Sequence, residues 1–384
     1  MRAILDYWSK YTVDGEHGGF YGSVNNNNQP AATAAKGLVL NSRILWAFSA
    51  GYAHTQNAGY LHMANRAYDY IQQFFIDREY GGAIWSVNYT GRPLETRKQI
   101  YGLAFCIYGL TEYYKVTRRE DALDVARQLY DAIERFSHDT QRGGYVEAFT
   151  REWKDASDLR LSEKDDNERK TTNTHLHVLE AYANLYTIWK DERLRLHMME
   201  LLSLFDQRII SNEGHLRLFF DDDWNVRSSL ISYGHDIEAA WLLLQCAQVT
   251  GDASLIQRFK LHAVKLADGG AEGLDVDGGL WYECEPATDT LIREKHSWPQ
   301  AEAMLGLFNA WQLTGRETYL QASLNNWEFV KRHIRNHQQG EWHWGVQADY
   351  TPMQKEKAGF WKCPYHNSRA CIELNNRISI LMKR

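Results

Sequence analysis

Three segments of this chain place histidine where proton chemistry would need it: TTNTHLHVLEAY around His175 and His177, SYGHDIEAAW around His235, and GFWKCPYHNSRA around His366. An imidazole titrates near neutral pH and can both remove and return a proton. Other polar and aromatic residues keep similar company: Arg43, Tyr101, Asn173, Glu238, Trp298 with Glu302, and Trp361 just ahead of His366. Taken singly, each histidine reads as a packing or capping residue. Several at matching places of separate segments read as a shared pocket, because packing alone gives no reason to repeat reactive residues. Asn173 and His177 are four residues apart and share one helix face, whereas His175 points elsewhere. His177 is therefore assigned to the pocket and His175 to packing.

Two other chemistries compete for the same residues. His235 and Glu238, three apart on a helix, could supply two metal ligands. No HExxH accompanies them, however, and a catalytic metal usually takes three protein ligands. Glu238, Glu302 and Asp165 could furnish the acid and base of a glycosidase, a chemistry that leaves three histidines without a task. Trp298 and Trp361 suit stacking against a pyranose face.

The elements that position these residues form a repeat. Six glycine-rich turns followed by aromatics begin at Gly18, Gly81, Gly143, Gly214, Gly278 and Gly340, in steps of 63, 62, 71, 64 and 62 residues. A fixed period means one supersecondary unit used repeatedly. Between turns lie two helix-period segments. One set is amphipathic (57–77, 119–136, 191–209, 252–267, 316–334, with 1–12 opening the chain) and belongs outside. The other is apolar nearly all round (38–54, 97–116, 171–189, 232–249, 297–313, 366–381) and belongs inside. The pattern predicts an all-α (α/α)6 barrel with short β-hairpin loops, in one domain over 1–384. The polar residues of the inner set would then converge on one end of its axis.

Composition narrows the partners. Lys+Arg is 43 against Asp+Glu 49, a net charge of −6 without basic stripes or charge blocks, which argues against nucleic acid and anionic membranes. No apolar run approaches the roughly 20 residues of a membrane span, and MRAILDYWSKY lacks the features of a secretory signal. Five cysteines without a CxxC pair read as reduced thiols of a cytoplasmic protein.

From EHGGFYG through NSRILWAFS, NTHLHVLEAY, SYGHDIEAAWLL and WPQAEAMLGLFNA to the terminal YHN, the chain resembles the N-acylglucosamine 2-epimerase superfamily, and within it the bacterial cellobiose 2-epimerases. The resemblance implies the (α/α)6 barrel, no metal, and epimerisation at C2 of the reducing-end glucose of β-1,4-linked disaccharides such as cellobiose and lactose. Relatives acting on mannose or N-acylglucosamine, and aldose–ketose isomerases, are the alternatives on the same scaffold. It also implies pocket roles for Arg43, Tyr101, Asn173, His177, His235, Glu238, Trp298, Glu302, Trp361 and His366, with Asp165 in a less regular loop. The stretch from Asn212 to Tyr233 is short, leaving room for a second sugar. The partner would be a small sugar, and the protein a monomer or homodimer. His235 and His366 are expected to exchange the C2 proton, and His177 to donate to the oxyanion. Arg43 and Asn173 would hold neighbouring oxygens, Glu238 would set the His235 tautomer, and Tyr101 would line the floor.

Overall fold

The computed structural model describes residues 1–383. Twelve α-helices alternate between an outer and an inner ring. The outer helices are α1 (Arg2–Tyr11), α3 (Ala58–Tyr70), α5 (Glu120–Phe136), α7 (Glu192–Leu204), α9 (Ala253–Ala271) and α11 (Glu317–Phe329). The inner ones are α2 (Leu38–Thr55), α4 (Ile100–Thr117), α6 (Thr172–Tyr186), α8 (Tyr233–Thr250), α10 (Ser297–Thr314) and α12 (His366–Leu381). Each inner helix packs on the next, and α12 packs back on α2, so the ring closes. This is the expected (α/α)6 barrel. Apolar residues cover nearly the whole circumference of α2, α4, α8 and α10, as helices wedged between an outer layer and an axis require. No helix among the described residues is long and apolar enough to cross a membrane.

The boundaries differ from the sequence pattern in instructive places. Helix α4 starts at Ile100, not 97, because Lys98–Gln99 pair as a strand with Ala148–Phe149. Helix α6 ends at Tyr186, short of the expected 189. Helix α9 runs four residues past its expected end, through Gly269 and Gly270. Those glycines do not stop it: a Cβ on Gly269 would stand 2.3 Å from the Gly214 carbonyl oxygen, so the residue permits close contact with a neighbouring turn. Three outer helices finish in a single π-helical turn (Ile71–Phe75, Phe205–Ile209, Val330–Ile334), which accounts for the longer segments read from sequence.

The glycine-rich turns are fastened to the inner helices. In four units a buried lysine two residues before the inner helix pairs with an aspartate of the preceding turn: Lys36–Asp14 at 2.7 Å, Lys98–Asp77 at 2.6 Å, Lys170–Asp139 at 2.9 Å and Lys295–Asp275 at 2.7 Å. In the units of α8 and α12 that position is Ile231 or Pro364, and the fastening moves. Asp236 takes the backbone N–H of Leu216 and the imidazole of His215, both at 2.7 Å. Glu341 accepts from Lys362 (3.1 Å), Asn367 (2.6 Å) and Trp8 (2.8 Å).

One turn gives a direct test. Gly144 has φ +78°, and a Cβ there would lie 2.5 Å from the Trp224 ring and 2.6 Å from Nε2 of His175. Gly144→Ala should therefore cost about 1–3 kcal/mol through backbone strain and overpacking together. A lowered urea midpoint at unchanged m-value would show it.

Candidate active site

The inner helices deliver side chains to the axis in two tiers. The first three residues of α4, α6, α8, α10 and α12 carry the upper tier: Tyr101, Asn173, His235, Trp298 and His366. The sixth residue carries the lower one: Arg43 on α2, Phe105 on α4, His177 on α6, Glu238 on α8 and Glu302 on α10. Between the upper tier and the hairpin loops opens a cavity of about 700 Å³, a size typical of small-molecule sites. Every residue assigned to the pocket from sequence lines it, Asp165 and Trp361 included, except Glu302, which lies just beneath. His175 stays out: its Nδ1 faces the Thr171 carbonyl oxygen at 2.6 Å and its Nε2 accepts the Tyr145 N–H at 2.9 Å.

The three pocket histidines differ in their partners. His366 Nδ1 lies 2.7 Å from Oε1 of Glu302, and His177 Nδ1 lies 2.8 Å from Oε2 of Glu180. A carboxylate on Nδ1 keeps the proton there and leaves Nε2 with a lone pair. His235 Nδ1 instead meets the Ser232 hydroxyl at 2.8 Å, a group able to donate or accept. Burial pushes His235 and His366 down to about 3, and lowers His177 too, so all three are neutral at neutral pH. Trp298 packs against both His235 and His366, with ring centroids 4.8 and 5.5 Å away, so the two imidazoles flank one corner of the cavity.

Two expected roles change. Glu238 does not set the tautomer of His235. Its carboxylate lies a helical turn deeper, 2.6 Å from Nη2 of Arg369 and 3.9 Å from His366, and among the described residues His235 Nδ1 meets only the Ser232 hydroxyl. Neutral His177, its Nδ1–H committed to Glu180, offers an acceptor to the cavity and not the expected oxyanion donor.

Arg43 is a cation suited to that purpose. It is buried and has no carboxylate within 4.0 Å among the described residues; Nη2 donates to the Tyr101 hydroxyl at 2.6 Å, and Nε has no partner. Its guanidinium stacks 4.0 Å from the Phe105 ring centroid. Burial opposes its charge, but the neighbouring Tyr101, Cys363 and Tyr365 hold its proton more tightly than usual. A desolvated guanidinium without an anion is poised to take one.

Arg369 was not singled out from sequence. Buried under the histidines, it donates to Glu180 (2.5 Å), Glu238 (2.6 Å) and Glu302 (2.7 Å). Through Glu302 and Glu180 it supports both His366 and His177. Glu238, Glu302 and His366 bring potential ligand atoms within 4.8 Å of one another, a different set from the His235–Glu238 pair on which the metal alternative rested. The guanidinium occupies the place a cation would take between those carboxylates. The usable signal was the spacing H-x-x-E, present at His177/Glu180 and His235/Glu238, with H-x-x-R at His366/Arg369. Asp165 sits on the cavity rim with one carboxylate oxygen turned back onto its own loop, accepting from Ser162 N and Oγ at 2.9 and 2.8 Å.

The chain is similar to known proteins along nearly its whole length. Residues 19–370 match the model of the family described as N-acylglucosamine 2-epimerase. A cellobiose 2-epimerase from Bacteroides fragilis is 48% identical over 373 residues, 97% of this chain and 95% of the relative. The solved cellobiose 2-epimerase of Bacillus thermoamylovorans superposes with a TM-score of 0.93 at 39% identity, covering 98% of both chains. A D-mannose isomerase structure shares the fold at 22% identity with a TM-score of 0.86, over 98% of this chain and 96% of its own.

Proposed function

The chain belongs to the N-acylglucosamine 2-epimerase family, and from that premise we propose that it interconverts glucose and mannose at the reducing end of β-1,4-linked disaccharides such as cellobiose and lactose. The observation that carries the reading is the pair of cavity imidazoles, His235 and His366, packed on one tryptophan but hydrogen-bonded differently. The C2–H of an aldose is acidic only when C1 is a free carbonyl, so the pyranose opens first. His366, its Nε2 lone pair facing the cavity, removes the C2 proton and becomes an imidazolium held by Glu302. The product is a planar cis-enediolate. Once its negative charge has formed, His235 takes up a proton from solvent and delivers it to the opposite face, while His366 returns its proton to solvent, so each turnover begins and ends with both imidazoles neutral.

Burial disfavours a protonated imidazole here. The negative charge developing on the sugar restores it, so the charged pair forms only with substrate in place. Arg43 receives the enediolate oxygen, a contact of a kind often contributing about 3 kcal/mol to lowering a barrier. His177 accepts from a sugar hydroxyl, and Asn173 holds an adjacent oxygen. Trp298 and Trp361 pack against the sugar rings, with Asp165 at the rim. The same reading takes residues 1–384 as one catalytic unit, a cytoplasmic monomer or homodimer that needs no cofactor.

Cellobiose incubated with the enzyme in heavy water should return an epimer carrying deuterium at C2. Epimer without deuterium would overturn the two-imidazole mechanism in favour of hydride transfer. Ketose in place of the epimer would mean that the proton returns to C1.

A further inference from the structure

We propose that the outer ring carries a second site, a structural one for a divalent transition ion of the zinc class, between helices α5 and α7. These helices pack chiefly on inner neighbours rather than on each other. Four side chains meet in the gap: Glu134 of α5, His138 just beyond its end, and His197 with Glu200 of α7. A carboxylate oxygen of Glu134 and one nitrogen of each histidine all lie within 4.8 Å of one another. Glu134 Oε2 is 3.0 Å from His197 Nδ1 and 3.5 Å from His138 Nδ1. Ligands at about 2.0–2.2 Å around a tetrahedral ion stand at similar separations.

The surroundings distinguish this group from a chance cluster. The other ring nitrogen of His138, Nε2, is 3.0 Å from Oε1 of Glu200. That is the carboxylate–histidine pairing that orients metal-bound imidazoles. Glu134 Oε1 accepts from the hydroxyls of Tyr145 (2.8 Å) and Tyr182 (2.5 Å), so this carboxylate is held as a ligating one usually is. Its Oε2, buried and turned toward the histidines, has the two imidazole nitrogens beside it but makes no well-aligned hydrogen bond. Two carboxylates and two neutral imidazoles also balance a doubly charged ion. The two histidine and Glu134 side chains are 12 to 23% exposed, leaving an entry path and a fourth position for water beside the Tyr130 hydroxyl, 3.0 Å from His197 Nδ1. The ion would cross-link two outer helices and take no part in the axial chemistry.

The test uses the whole enzyme, stripped with a chelator and titrated at neutral pH with Zn²⁺ by calorimetry and with Co²⁺ by visible absorption. Expected are one ion per chain, a tetrahedral-type Co²⁺ spectrum and a Tm that climbs with added Zn²⁺. Stripping should leave epimerisation per folded molecule unchanged. His138→Ala and His197→Ala should abolish the stoichiometric uptake, and Glu200→Gln should weaken it about 10- to 100-fold. No uptake by the wild-type chain would overturn the proposal without any question of a variant's folding. Uptake that survives both histidine variants but is lost in Glu238→Gln would overturn it too, by placing the ion on the axis.

Discussion

Replacing His366 by asparagine is expected to lower kcat for cellobiose epimerisation by about 10²–10⁴-fold, the usual worth of a positioned acid–base group, with the fold intact. Asparagine fills similar space and keeps a polar group toward Glu302. That carboxylate also stays bound to Trp241 at 3.0 Å and Arg369 at 2.7 Å, so the substitution strands no buried charge. Both directions should suffer, since each imidazole is base in one and acid in the other. Chromatographic rates, with the melting temperature as a control, check the first claim. Proton exchange at C2 checks the second: the variant should lose solvent deuterium incorporation along with product. Activity within tenfold of wild type would remove His366 from the proton path.

The second large effect concerns stability. Arg369→Met should destabilise the protein by at least about 3–5 kcal/mol, the cost of removing one partner from a buried ion pair. Here one guanidinium answers three buried carboxylates, Glu180, Glu238 and Glu302. Without it, burial and mutual repulsion raise their proton affinity in the folded state above that of the unfolded chain. The unfolded chain then binds fewer protons between its ordinary carboxylate range and the raised folded values, so the penalty is largest at neutral pH. It shrinks as pH falls through the raised folded values toward about 4.5. Urea unfolding at pH 7 and pH 5.5 should show the gap between variant and wild type narrowing. An equal gap at both values would mean that lost packing against Trp241 and Tyr365, not stranded charge, causes the loss.

The ring was legible because its signal is periodic: glycine turns recur every sixty-odd residues, and two kinds of helix pattern alternate between them. The pocket was legible for a related reason, since reactive residues fall near the start of each inner segment. What sequence could not supply was pairing across the ring. Glu238 and His235 are three residues apart, and helical proximity favoured joining them. The partner of Glu238 is Arg369, 131 residues away, and Glu180 finds the same guanidinium across 189 residues. Nothing local announces such contacts. The direction of hydrogen bonds was hidden likewise: His177 contains the right atoms for a donor, but Glu180 fixes which nitrogen keeps the proton.

The two fastenings without a lysine pin carry a consequence for how this scaffold can be altered. Asp236 adjoins His235 and Asn367 adjoins His366, so the rings proposed to handle the proton hang one peptide from a clamp while other stations are clamped two residues ahead of their helices. Sixfold likeness invites moving the reaction to another station by transplanting imidazoles alone. Such a graft would inherit the longer tether and lose registration with the sugar carbon, so any successful relocation must carry the clamp with it.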